Sequence, residues 1–484
     1  MAARVRRVFR RGLDGTETSL AIVAVAYALL QVALGPARIG LGWDEAVYVS
    51  QVAPNIPTAY FSAPRSRGVS LLVAPIAQFT TSTAAIRAYL IVLSALGVYG
   101  AFRIWLRVLS RPAVVLAAVL FAGLWPTIFY GNEAMPNFWV AILAVGSLGC
   151  LVAAVQAREN RRRLYVVAGL CIAAMGLIRP SDAGWFALPI VVAALTAWRR
   201  TWVLQVTVLG LVAGIAPWVI EAYTSYGGLG NRLHLASLNE GGLRPHVGFV
   251  YEARALYGPL LCRPCARASH PLALDIWWVL LPVAVVAAVA LARRTSRFSP
   301  LLFAGLCSVS VAAPYLFLVG YAAPRFLLPA YALAALPVAD LLTTFVGSAV
   351  QHRIRFIAVV SAVAIFLSGQ VAVAAFQVPV QQVERVNYSS VASQLHGLGI
   401  KPPCMLDGNY AAPVAYYARC DTLVAHGSPR PRTESDWVAY ADQHNLTVIT
   451  RDGELVRPYA RHWRIYTFRN TDKHRWVAYL PPPR

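Results

Sequence analysis

Long apolar runs separated by short charged breaks dominate the chain from residue 17 to residue 377. A run of roughly 20 residues crosses about 30 Å of hydrocarbon as a helix. The runs predict spans near 17–35, 83–104, 112–130, 137–156, 164–178, 183–198, 202–223, 273–292, 299–320, 326–345 and 356–377. The expected fold is therefore an all-α polytopic membrane protein of about eleven transmembrane helices. The shorter stretch RGVSLLVAPIAQF (67–79) contains a proline and is expected to lie along or dip into the interface. After Val378 the texture changes. Strand-like pieces (CML, TLVAH, LTVIT, WRIYTF, WVAYL) alternate with helical stretches (SSVASQLHGLG, ESDWVAYADQHN). That alternation predicts a small C-terminal α/β domain over 378–484, following a transmembrane domain over 1–377.

Composition sharpens this picture. Hydrophobic residues make up 58% of the 484 and charged residues only 13%, against about 25% in a soluble domain. The net charge of +22 is distributed between the apolar runs: RVRRVFRR at the start, Arg103/Arg107/Arg111, RENRRR (158–163), RR (199–200), RRTSR (293–297) and HRIR (352–355). With the N-terminus inside, every cluster falls on the cytoplasmic side, as short basic loops do. The charge thus reads as topology in a plasma membrane, not as nucleic-acid binding. The first apolar run lacks a clean cleavage site and is expected to be a retained helix.

This orientation leaves outside the loop 36–82, the hairpin YGNEAMPN (130–137), RPSDAG (179–184), a loop at 226–272, YAAPR (321–325) and the C-terminal domain. Of seven cysteines, Cys150, Cys171 and Cys307 lie in apolar spans and read as buried hydrophobes. Cys262, Cys265, Cys404 and Cys420 lie outside, where disulfides persist. Cys404 and Cys420 can bridge within the tail domain; CRPC (262–265) reads as a tight disulfide or as half of a zinc site.

Ionisable residues gather at the outer ends of the spans: Asp44, Glu45, Arg65, Arg67, Glu133, Arg179, Asp182, Glu221, Arg244 and Arg325. Ion-coupled transporters instead place such groups near the membrane midplane. Arg325 follows Pro324 at the expected start of an inward-running helix, where the dipole disfavours a cation. A bound anion would remove that conflict, since guanidinium matches phosphate; the alternative is an arginine snorkelling at the head groups. Asp44, after Gly-Trp, reads either as a helix N-cap or as a reactive group.

WDEAVYVSQ after the first span resembles the DE motif of the GT-C glycosyltransferases, in the branch of protein O-mannosyltransferases and lipid A aminoarabinose transferases. APRSRG (63–68) matches that branch's phosphate-facing basic position, often Lys-Pro-Pro, and Glu133 in GNEAMPN its second acidic position. LIRPSDA, PWVIEAYTSYG and PRFLLPAY match later motifs in the same order. Asn137 departs from the aspartate many relatives carry. The resemblance implies a polyprenyl-phosphate sugar donor and a glycan, lipid or protein acceptor. It assigns Asp44, Glu45 and Glu133 to catalysis, with Asp44 as general base. Arg65, Arg67, Arg179 and Arg325 take the donor phosphate, and Tyr48, Asn137, Tyr321 and Arg244 contact substrate. Attack opposite the leaving group inverts the anomeric centre. Glu45 or Glu133 would position the acceptor or hold a divalent cation, Mg or Mn. Two lysines, Lys401 and Lys473, among 43 basic residues suggest a GC-rich, actinobacterial genome, and hence a mannosyl or arabinosyl donor and a cell-wall glycan. A lipid-linked-sugar flippase, or an inactive glycan-binding relative, is the competing reading.

Overall fold

The computed structural model describes residues 2–35, 39–156, 161–197, 200–242, 244–263, 265, 270–347, 353–423, 434–451, 454–469 and 475–482. Each predicted span coincides with helix. Among the described residues, six helices are long and apolar enough to cross a membrane: Thr83–Arg107, Pro136–Gln156, Thr201–Ser225, Phe298–Phe317, Leu328–Val346 and the first part of Arg353–Gly397. Val92, Leu209, Val309 and Ile357 on these helices are exposed, a surface suited to hydrocarbon rather than water. The chain is a multi-pass membrane protein.

Two departures from the predicted elements have local causes. The run 112–130 forms two helices, Arg111–Ala122 and Trp125–Tyr130. Pro126, which has no N–H and clashes with the carbonyl four residues back, ends one helix and restarts the next. The last apolar run does not stop near 378; its helix continues to Gly397. It turns off only where Gly399 adopts φ +86°, the left-handed conformation that favours glycine.

The chain divides into two compact units, one of residues 1–34, 63–68 and 91–375, the other of 35–62, 69–90 and 376–484. The second joins first-loop residues to the tail. Its sheet has the order β2-β1-β3-β5-β4, with β1 Met405–Asp407, β2 Asp421–Thr422, β3 Leu446–Arg451, β4 Arg464–Thr467 and β5 Trp476–Leu480. β1 runs parallel to β2 and β3, and β5 antiparallel to β3 and β4. The predicted strand TLVAH begins in β2, while its residues 424–426 lie outside the described residues. Alternation along the strands fills both faces. Leu406 and Ile449 pack with Val391, Leu395 and Trp476, while Met405, Leu446 and Val448 pack with Trp437 and Trp463. A disulfide joins Cys404 to Cys420.

Candidate functional site

The acidic candidates of the second unit sit on the short helix Trp43–Ser50. Its N-cap is Gly42, not Asp44; Asp44 and Glu45 occupy the first turn, where carboxylates favour the helix dipole. Asp44 is half-buried. Glu45 is 1% exposed and shared by two guanidiniums. Arg87 approaches with Nη1 2.5 Å from Oε1 and Nη2 2.7 Å from Oε2, a bidentate pair. Arg385 donates Nη1 to Oε2 at 3.0 Å, and the Gly42 amide donates to the same oxygen at 2.8 Å. Burial opposes the charge on Glu45, but Arg87, Arg385 and the Gly42 amide outweigh burial and hold its carboxyl below the ordinary range. Glu45 is therefore an anchored anion. Tyr48, a predicted substrate contact, is buried edge-on against Phe61, and its carbonyl accepts from Ser70 at 2.9 Å.

The first unit gathers the basic candidates in two places. Arg67 meets Glu221 at 2.5 Å, and Glu221 also takes Arg232 at 2.8 Å. Arg232 is fully buried between the rings of Trp218 and Tyr226, and it donates to the carbonyls of Ala63 and Arg65, each at 3.0 Å. It thereby holds the backbone of the APRSRG stretch.

The second place centres on Phe326. Arg179, the N-cap of the helix Pro180–Leu195, lies 5.8 Å from its ring and Arg325 5.4 Å. Arg179 also pairs with Asp182 at 3.3 Å, and Tyr315 donates to that carboxylate at 2.7 Å. Tyr321 packs edge-on against Phe326 and donates its hydroxyl to Glu240. Burial, then the charge of Glu240, pushes the Tyr321 phenol up, so it serves as a hydrogen-bond donor. Arg325 lies in the turn before the helix Leu328–Val346, not in its first turn as expected. Its Nη1 donates to Leu260 at 3.1 Å. This geometry is stapled: a disulfide joins Cys262 to Cys265, which excludes the zinc alternative, and Cys262 and Ala322 exchange two backbone hydrogen bonds. Beside the turn is a cavity of about 340 Å³ lined by Glu240, Arg244, His246, Tyr251, Arg263 and Tyr321. The predicted contacts Arg244 and Tyr321 thus face one space.

Glu133 is buried in the turn after Trp125–Tyr130, and Asn137 is fully buried in the first turn of Pro136–Gln156. Neither amide atom of Asn137 has a hydrogen-bond partner among the described residues. Among the described residues no three His, Cys, Asp or Glu side chains gather as metal ligands would. Glu45, one of the two expected ligands, is already held by two arginines.

No family model matches the chain, and no curated protein matches it. Solved structures do. The chain is similar to ArnT from Cupriavidus metallidurans bound to undecaprenyl phosphate, with a TM-score of 0.64 and 13% identity over 96% of this chain and 99% of that one. It is also similar to the archaeal oligosaccharyltransferase AglB from Archaeoglobus fulgidus in complex with an inhibitory peptide and a dolichol-phosphate. There the TM-score is 0.54 and the identity 12%, over 89% of this chain and 69% of that one. The likeness is one of fold.

Several partners of these candidates escaped the sequence reading: Arg87, Arg385, Arg232 and Glu240. Arg87 had a signal, a lone arginine at the head of an apolar run. Arg385 had none, since its partner lies 340 residues away.

Proposed function

We propose that this protein transfers a sugar from a polyprenyl-phosphate donor to an acceptor hydroxyl at the outer face of the membrane. The observation that carries this reading is the Phe326 cluster: two guanidiniums on one ring, beside a phenol donor and a polar cavity. Arg179, Arg325 and Tyr321 are suited to a phosphate ester, and Arg244 and Glu240 to hydroxyl and charged groups of a bound sugar or acceptor. The fold shared with a protein solved with undecaprenyl phosphate supports a lipid-borne donor.

In the reaction, the acceptor oxygen attacks the anomeric carbon as its bond to the phosphate oxygen breaks. The hydroxyl proton passes to Asp44 as general base, and polyprenyl phosphate leaves with its charge met by the arginines. Attack from the side opposite the phosphate inverts the centre. Glu45 keeps the acidic turn in place and does not titrate near neutral pH, because its two arginines hold it ionised.

The test uses purified protein in lipid nanodiscs with radiolabelled polyprenyl-phosphate mannose and arabinose. Release of polyprenyl phosphate with one donor, and a raised donor KM in Arg325→Gln, is the expected result. Binding and turnover of neither donor would contradict the reading.

A further inference from the structure

The first-loop helix and the C-terminal domain are joined by a set of hydrogen bonds that packing alone does not require. Three elements of the tail reach the six residues Gly40–Glu45. Arg385, on the part of the long helix beyond the apolar run, donates to Glu45 Oε2 at 3.0 Å and to the Gly40 carbonyl at 3.3 Å. The Tyr417 hydroxyl, on the helix Ala411–Ala418, accepts from the Leu41 amide at 2.8 Å. The Asn409 carbonyl, just after β1, accepts from Trp43 Nε1 at 2.7 Å. The backbone approach is close: a Cβ at Gly42 would stand 3.0 Å from the Arg385 guanidinium carbon, and one at Gly40 2.9 Å from the Tyr417 hydroxyl. Gly40 and Gly42 therefore leave room for these two tail side chains. Asp44 lies between Trp43 and Glu45, two residues that are each fixed by the tail.

We infer that the C-terminal domain is a positioning device for Asp44, acting through Arg385, Tyr417 and the Asn409 carbonyl. This rests on the transferase reading for its meaning, but not for its structural content. Arg385 and Tyr417 are positioning residues, since they act on Gly40, Leu41 and Glu45 and not on substrate. The Cys404–Cys420 disulfide closes the segment that carries both Asn409 and Tyr417, so the bracket that presents them is covalently shut. The groups facing Glu45 are Arg87 from the helix Thr83–Arg103, Arg385 from the long helix, and Tyr416 from Ala411–Ala418. The Tyr416 phenol is pushed up by burial, then by Tyr417 and Glu45, so it stays neutral.

The test compares full-length wild type, Arg385→Gln, Arg385→Lys and Tyr417→Phe, all in nanodiscs. Hydrogen exchange over residues 41–50 is read beside kcat, donor KM and the pH profile. Faster exchange at 41–50 is expected in Arg385→Gln and Tyr417→Phe, with β3 keeping its protection. A small misplacement of a reacting group costs roughly 100-fold, so kcat should fall by about 10–100-fold while donor KM stays within about two-fold. In Arg385→Gln, but not in Tyr417→Phe, the acid limb of the profile should move to higher pH, because Glu45 has lost one of its two cations. Arg385→Lys should recover part of both effects. Unchanged exchange at 41–50, or an effect confined to the yield of folded protein, would overturn the inference. If wild type transfers nothing, the transferase reading fails and the exchange data alone decide this one.

Discussion

Two carboxylates of this protein are each shared by two arginines, yet they stand in opposite surroundings. Glu45 is 1% exposed, Arg87 not at all and Arg385 6%. Glu221 is 14% exposed and Arg232 not at all, but Arg67 is 40% exposed. The first triad is closed. Removing Glu45 leaves two guanidiniums buried without their counterion, and removing either arginine leaves the buried carboxylate with only one of its two cations; such breaks are costly. The second is closed on one side only. Its Arg232 arm is built into the backbone of residues 63–65, while its Arg67 arm remains in reach of solvent and can exchange Glu221 for another anion at little expense. One triad is an anchor; the other is a hinge for charge.

The sharpest way to break this contrast is Arg87→Ala, which should destabilise the unit by roughly 3–5 kcal/mol, read as a fall in the denaturation midpoint. Opening the bracket in the tail comes next. Cys404→Ser with Cys420→Ser should cost about 3 kcal/mol, the amount expected for a loop of this length, measured in the same way. By contrast Arg67→Gln should change stability by less than about 1 kcal/mol and appear instead as a raised donor KM.

The pH dependence distinguishes the closed triad from a third carboxylate. The folded pKa of Glu45 is lowered, so its stabilisation is present above the unfolded value and is lost as pH falls through the folded one. Glu252 behaves in reverse. It is 3% exposed and its Oε1 has no hydrogen-bond partner among the described residues; burial raises its carboxyl well above the ordinary range, with Arg325 opposing. Its contribution is full below the unfolded value and is lost as pH rises toward the folded one. Glu252→Gln should therefore leave the Tm unchanged or raise it at pH 7, the smallest effect of the series, as thermal scans across pH would show.

Much of the fold was legible because it depends on short-range pattern. Apolar runs located the helices, and the alternation in LTVIT and WVAYL located β3 and β5. Two local features were not. Asp44 looked like a cap, but Gly42 holds that position and Glu45, in the first turn, accepts from its amide while Arg87 and Arg385 hold the carboxylate. The break at Val378 was drawn where hydrophobicity falls, yet a helix can run through a change of solvent, and this one carries Arg385 beyond it. Of the candidate site, the outer arginines and the acidic pair were visible as charges in unexpected places. Their partners were not, since ion pairs such as Glu45–Arg385 join residues that only the folded chain brings together.

The most direct test of the account is single-turnover transfer by Asp44→Asn, with donor binding and Tm measured on the same sample. General-base catalysis contributes about 10²–10⁴-fold, so the transfer rate should fall by that factor while donor binding and Tm stay at wild-type values. A variant that transfers at the wild-type rate would remove Asp44 from the chemistry and contradict the account.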